Sequence, residues 1–358
     1  MREAYPGDEV LCEDLLTHVP GPFRQAYPAT YYLLVRHLSV IWGTCFQLLD
    51  QNWFYPLVKP LRRAWNLMMA RGFIRWLQQQ APDVIVTTHF LPADVCGAGK
   101  RAGWLKAPLV VVVTDYHPHQ FWMTTEAEAT VVATNATAAG CRQRGLPAAR
   151  VHVVGIPIAR GFDAVTDRRE VERTLRLDST RKTILVTSGG DTVGPFEPVV
   201  DALCKLEDVL PGRLQLVVIC GENAAAAERL THKTQACRMP VRVFGFVDTM
   251  PEFMGASDLV VAKAGGLTVT EALARGLPLI LYHAIPGQEL FNARYLVEHG
   301  AALIARGPEE AAQAARHYIE DPNHMRALRE AAASLSHPHA AEVIVESVVK
   351  PLVPHAAA

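Results

Sequence analysis

The sequence predicts an α/β protein of two doubly wound domains, each a parallel sheet wrapped by helices. Three observations lead there. Short apolar runs recur along the chain without alternation, which marks strands buried on both faces of a parallel sheet. Most of these runs end in clusters of Gly, Ser, His or Asp and lead into helical patterns, the rhythm of repeated βα units. The chain has 358 residues, half of them hydrophobic, enough for two full cores.

Composition also excludes. A net charge of −1 is not that of a nucleic-acid binder. The seven cysteines are scattered, with no CxxC, which fits a reducing cytoplasm and no disulfide or zinc framework. No signal peptide is visible, and no run of about 18 uncharged apolar residues, so no transmembrane helix is expected. No metal site and no resident cofactor are expected either.

The chain opens with MREAYPGDEVLCEDLL, which reads as the tail of a helix, a Pro-Gly turn and a strand at Glu9–Glu13. A nucleotide-type domain ordinarily begins with a strand, a Gly-rich turn and a whole helix, and none of these is here. The expected consequence is a gap in the first sheet, or Val10–Glu13 sliding in to fill it. Low stability and little activity would follow.

Residues 22–80 hold Trp42, Trp53, Trp65 and Trp76 at helical spacing, broken by Pro56 and Pro60. Between Arg24 and Arg75 the charged residues are Arg24, Arg36, Lys59, Arg62, Arg63, Arg71 and Arg75, against Asp50 alone. An aromatic, basic, amphipathic segment suits an anionic membrane surface, with the basic residues toward the lipid. Core helices with a solvated basic face would show the same pattern.

Strands follow at Val84–Thr88, Leu109–Thr114, Thr130–Thr134 and Val151–Val154. In open α/β sheets ligands bind beyond the carboxyl ends of the strands. His89, Asp115, His117 and His119 lie there and are the candidate acid/base residues, although a lone His is as readily structural. Residues 161–178, with a charged run at 167–170, read as the inter-domain connection. This divides the chain into an acceptor- and membrane-binding domain (1–160), a linker (161–178), a nucleotide domain (179–335) and a segment crossing back to the first domain (336–358).

In the second domain, Thr183–Thr187 ends in Ser188-Gly189-Gly190-Asp191, a turn whose N–H groups can face a pyrophosphate. Leu216–Cys220 ends in Gly221-Glu222-Asn223, and Val241–Phe244 in Gly245-Phe246-Val247. Residues 258–261 run into Lys263-Ala264-Gly265-Gly266, and a helix opens at Leu267-Thr268. Glycines at a strand-to-helix turn admit an anion to the positive end of the helix dipole. Thr268 can cap the helix or bind a phosphate oxygen. Glu271, about one turn on, can accept from a ribose diol. The strand Leu279–Tyr282 leads to Gly287-Gln288-Glu289, whose amide and carboxylate suit sugar hydroxyls, and then to Asn292. A Gly-Gly pair alone would equally serve tight packing. Its conjunction with Glu271 and the PGQE loop in successive βα units points to a sugar nucleotide.

KAGGLTVTEALARGLP followed by PGQE and NARYLVEHGAA resembles the carboxy-terminal domain of family 28 glycosyltransferases, closest to the diacylglycerol glycosyltransferases. The likeness extends upstream through FGFV (244–247), CGEN (220–223), GIPI (155–158) and TDYHPHQFW (114–122), nearly the whole chain. It implies the GT-B fold, two Rossmann-like domains facing across a cleft. It also implies inverting transfer of a hexose from a UDP-sugar to diacylglycerol, at the inner face of the cell membrane. Phe244-Gly245-Phe246 would meet the uracil edge, and residues 114–122 the acceptor lipid. The family begins with a Gly-rich loop ending in a catalytic histidine. No residue here matches it, and the first sheet is expected to lack its first strand. The alternatives are transfer to another lipid-linked acceptor such as a polyprenyl carrier, a UDP-sugar epimerase, and a chain that binds nucleotide and membrane without turnover.

Overall fold

The computed structural model describes residues 7–164, 167–189 and 194–353. The chain forms two compact units. One comprises residues up to Pro157 together with those from His339 on, the other Ile158–Pro338.

The first unit is built on β1 (Ile85–Thr87), β2 (Leu109–Val112), β3 (Ala129–Val132) and β4 (Val151–Val153), all parallel and paired in that order. Four helices precede the sheet: α1 (Gly21–His37), α2 (Ser39–Leu49), α3 (Tyr55–Met69) and α4 (Arg71–Gln80). Two more, α5 (Phe90–Ala102) and α6 (Asn135–Gln143), follow β1 and β3. The continuous apolar character of β2 has a simple cause. Leu109 and Val111 pack with Leu77, Val95 and Trp122 on one face. Val110 and Val112 pack on the other face with Ile344, Val348 and Val349 of the C-terminal helical segment. A sheet with both faces apolar needs two covers, and the returning C-terminal segment supplies the second.

Two expectations are corrected. Residues 9–13 form no strand; the chain runs extended there and then makes a single helical turn, Leu15–His18, closed by the Asp14 carboxylate accepting from Leu16 N–H at 2.9 Å. Leu11 is half exposed, and Leu15 is the buried anchor. The turn lies directly on α4 at Gly72, where a Cβ would fall 2.0 Å from the His18 carbonyl oxygen. Nor does the sheet contain a gap: β1, β2, β3 and β4 each bond to the next, so no interior position is vacant.

The second unit carries six parallel strands: β5 (Lys182–Thr187), β6 (Leu214–Ile219), β7 (Val241–Phe244), β8 (Leu259–Ala262), β9 (Leu279–Tyr282) and β10 (Ala302–Ala305). Its helices are α7 (Arg168–Thr174), α8 (Phe196–Cys204), α9 (Ala224–Thr234), α10 (Met250–Gly255), α11 (Gly266–Ala274), α12 (Gln288–Glu298), α13 (Pro308–Glu320) and α14 (Pro322–Ser334). The strand order is β10-β9-β8-β5-β6-β7. The chain builds outward from β5 to β7, then crosses to β8 on the other side and builds outward again. β5 and β8 therefore flank the point where the order reverses, the place in an open α/β sheet where a crevice forms beyond the strand ends. At the opposite end of these strands, buried Asp258 accepts from Thr183 N–H at 3.0 Å and pairs with Arg168 at 2.7 Å and Lys182 at 3.0 Å.

Candidate functional site

Each unit gathers predicted residues at its strand ends. In the second unit, β8 delivers Lys263, and α11 starts at Gly266 with Gly265 as an N-cap that offers no side chain. Thr268 stands in the first turn and does not cap. The backbone at Gly265 (φ −65°) is open to any residue, and a Cβ there would meet nothing within 4 Å. Nothing inside the protein thus requires this glycine, whereas an anion approaching the uncapped N–H groups would. The Leu267 side chain is exposed, so only its backbone faces the turn.

The Glu271 carboxyl makes no hydrogen bond or ion pair among the described residues. Burial alone pushes its carboxyl up to about 7. Lys263 Nζ lies 3.8 Å from Glu289 Oε1, and the other Glu289 oxygen accepts from Ile285 N–H at 3.1 Å. Gly287 adopts φ 108°, a conformation that demands glycine, and sets Gln288 and Glu289 in the first turn of α12. Asn292 is fully buried and donates to the Ala264 carbonyl at 3.1 Å, tying the PGQE helix to the Gly-Gly turn.

The other predicted residues of this unit divide. Ser188 is buried after β5, and Gly189 has φ 78°. Gly190 lies outside the described residues. Gly221 turns with φ 58°, and Asn223 caps α9 by accepting from Ala226 N–H at 3.0 Å. Phe244 packs edge-on against Phe253, while beyond Gly245 the Phe246 ring is 69 % exposed. His283 escaped the sequence reading. It closes β9 in left-handed backbone (φ 47°), and its ring sits where a Cβ on Gly194 would fall, 2.4 Å away. A strained non-glycine residue at a strand end was not legible from neighbours in sequence.

In the first unit the four candidate acid/base residues take different roles. His89 caps α5, its Nδ1 accepting from Leu91 N–H at 3.2 Å, and burial lowers its pKa. Asp115 is buried and accepts from the Trp122 indole at 3.1 Å. His119 is buried, with Nε2 donating to the Phe46 carbonyl at 3.0 Å and Nδ1 accepting from Phe121 N–H at 3.1 Å. Burial drives its pKa down to about 4, so it is a neutral strut with both nitrogens engaged.

His117 remains partly open, its side chain 24 % exposed, with Nε2 2.7 Å from Asp50 Oδ2. Asp50 also accepts from Arg144 at 2.9 Å and from Gln120 N–H at 2.9 Å. Burial alone would raise the Asp50 carboxyl. The hydrogen bond from His117 and the nearby Arg144 guanidinium help outweigh burial and hold it low. A carboxylate closing a helix carboxyl end opposes the helix dipole, so these partners are what keep it there. The sequence reading missed Asp50 and Arg144 as site residues. Its one signal was that Asp50 is the lone acid of a basic segment.

That segment's surface differs from expectation. Arg62 and Arg63 turn inward onto buried Asp94, at 3.3 and 3.1 Å, and Asn66 donates to the same carboxylate at 2.8 Å. Arg24, Arg71 and Arg75 do face outward, but so does a set of large apolar side chains. Val40 and Ile41 on α2, Trp53, and Leu57, Leu61, Trp65 and Met68 on α3 are all exposed. The α3 residues form one stripe at helical spacing. Contiguous exposed apolar surface of this kind marks an interaction face. No single helix among the described residues is long and apolar enough to cross a membrane.

Comparison with known proteins agrees with this arrangement. Residues 3–158 match the monogalactosyldiacylglycerol (MGDG) synthase family, and residues 183–346 the glycosyltransferase family 28 C-terminal domain. A probable monogalactosyldiacylglycerol synthase 2, chloroplastic, of Oryza sativa subsp. indica is 32% identical over 329 residues, 90% of this chain and 69% of the relative. A processive diacylglycerol beta-glucosyltransferase of Bacillus pumilus is 28% identical over 326 residues, 90% of this chain and 82% of that protein. Among solved structures, S. aureus MnaA with UDP superposes with a TM-score of 0.63 at 17% identity, covering 82% of each chain. Acinetobacter baumannii MurG gives 0.56 at 18%, covering 80% of this chain and 78% of that one. These likenesses show the fold to be GT-B.

Proposed function

Because the chain belongs to the monogalactosyldiacylglycerol synthase group of family 28 glycosyltransferases, we propose that it moves a hexose from a UDP-sugar to diacylglycerol at a membrane surface, with inversion. In this reading the diphosphate lies on the N–H groups of residues 265–268 at the start of α11. Glu271 accepts from the ribose diol, the exposed Phe246 lies by the uracil, and Gln288 and Glu289 meet the sugar. Helix-end N–H groups and Lys263 supply the positive potential that a departing diphosphate needs.

The observation that supports a lipid acceptor most is in the first unit. Asp50, between the two helices α2 and α3 that carry the exposed apolar side chains, holds His117. The acyl chains of diacylglycerol would lie against the stripe, and its free glycerol hydroxyl would reach His117. His117 takes the hydroxyl proton while the oxygen attacks the anomeric carbon. The bond from that carbon to the diphosphate breaks, and UDP leaves with the electron pair. Asp50 orients the ring and stabilises the imidazolium that forms. The protein would thus be a peripheral membrane enzyme that docks through α2 and α3.

The test is direct. The chain is incubated with radiolabelled UDP-glucose or UDP-galactose and vesicles containing diacylglycerol, and the lipids are separated by thin-layer chromatography. A labelled glycolipid of β configuration supports the proposal. Label appearing only in free sugar, or in an epimerised nucleotide, overturns it.

A further inference from the structure

Far along the chain from both clusters, α13 ends and α14 begins at a corner around Pro322. His317 in the last turn of α13, Asp321 at the junction and His324 in the first turn of α14 place their ligand atoms within 4.8 Å of one another. The two imidazole rings face edge to plane with centroids 5.0 Å apart. Neither imidazole makes a hydrogen bond among the described residues. The Asp321 carboxylate spends Oδ1 on the cap, accepting from Asn323 N–H at 3.0 Å and His324 N–H at 3.1 Å, and Oδ2 has no hydrogen bond among the described residues. The spacing is His-x3-Asp-x2-His, which puts all three on one side of the corner.

We infer that His317, Asp321 and His324 form a binding site for a transition-metal dication of the zinc type. Two imidazole nitrogens and one carboxylate oxygen suit Zn²⁺, Co²⁺ or Ni²⁺, and not Mg²⁺ or Ca²⁺, which take oxygen ligands alone. Bonds of about 2.0–2.2 Å put tetrahedral ligand atoms about 3.4 Å apart, a contraction that rotation of half-exposed side chains provides. The fourth position would be water. The ion would clamp α13 to α14 across a corner where Asp321 alone makes backbone hydrogen bonds to both helices among the described residues. Because α13 packs on α8 in the core of the second unit, binding would stabilise that unit by mass action. This site is independent of the transfer reaction.

Cobalt(II) is the probe, because its visible bands report ligand type. The full chain is titrated with CoCl₂ after removal of metals and affinity tags. One equivalent is expected to bind with d–d bands and without a thiolate charge-transfer band. Zinc is expected to displace it. His317→Gln and His324→Gln should each weaken binding at least tenfold. Asp321→Asn retains a good helix cap while removing the anionic ligand, and should weaken it about as much. Unfolding curves without metal establish that the variants are folded. No binding by the unaltered chain, equal binding by His317→Gln, or a thiolate band would each overturn the inference.

Discussion

The Asp50 carboxylate lies 2.7 Å from Nε2 of His117, a residue 67 positions away in the chain. Asp50 closes α2, and His117 stands past the end of β2. The pair therefore joins the exposed apolar helices to the sheet whose strand ends carry the candidate base.

Replacing either member should separate binding from chemistry. His117→Ala is expected to lower kcat by at least a hundredfold with donor KM little changed, the range of a positioned acid/base group. Asp50→Asn removes the carboxylate that orients the His117 ring, so a smaller loss of kcat is expected, again with donor KM little changed. Steady-state kinetics over pH 5–9 checks both. A His119→Gln variant should lose stability before it loses specific activity, because that ring holds the Phe46 carbonyl and Phe121 N–H.

Glu271→Gln should weaken UDP binding by roughly tenfold, the effect of losing one charge-assisted hydrogen bond of about 1–3 kcal/mol. Its pKa also sets a pH signature. The carboxyl is raised to about 7 in the folded chain, from an ordinary 4.5. Between those values the unfolded chain releases this proton and the folded chain retains it. The contribution to stability is therefore full below about 4.5 and falls as pH rises to about 7. Removing the group should make the second unit relatively more stable at pH 8 than at pH 5. Calorimetric titration with UDP and thermal unfolding of both forms measure these effects.

The apolar face makes a prediction opposite to that of a basic membrane anchor. Leu57→Ser with Leu61→Ser should reduce vesicle binding at least tenfold, since burying one such side chain contributes about 1.5–3 kcal/mol. Thermal stability should be nearly unchanged, because both side chains are exposed. Arg62→Gln with Arg63→Gln should do the reverse. It leaves buried Asp94 without its two guanidinium partners and destabilises the first unit, on the scale of about 3–5 kcal/mol for a broken buried pair. Vesicle co-sedimentation and thermal unfolding of the two double variants distinguish the cases.

Asp258→Asn tests what anchors the second sheet. Burial alone would raise this carboxyl, but Arg168, Lys182 and the Thr183 N–H together hold it below its ordinary 3.8. A depressed carboxyl contributes stability above its unfolded pKa and loses it as pH falls through the folded value. The variant should be less stable at pH 7 and show a flatter acid limb below about pH 4 in thermal unfolding.

The sequence by itself determined the parallel sheets, nine of the ten strands that compose them and the motif that opens α11. Each rests on local pattern: unbroken apolar runs for strands covered on two faces, and glycines where a strand turns into a helix. Only the tertiary structure decided which polar groups have partners. Periodicity shows that α3 has two faces but not which one turns inward, so Arg62 and Arg63 read as surface charges until Asp94, on a later helix, met them. Residues 9–13 read as a strand by composition, yet they belong to neither sheet, and Leu15, in the turn that packs on α4, is the buried anchor. Four histidine and aspartate candidates looked alike at strand ends. Their roles separated only when burial closed His119 between two backbone groups and a helix end, distant in sequence, brought Asp50 to His117.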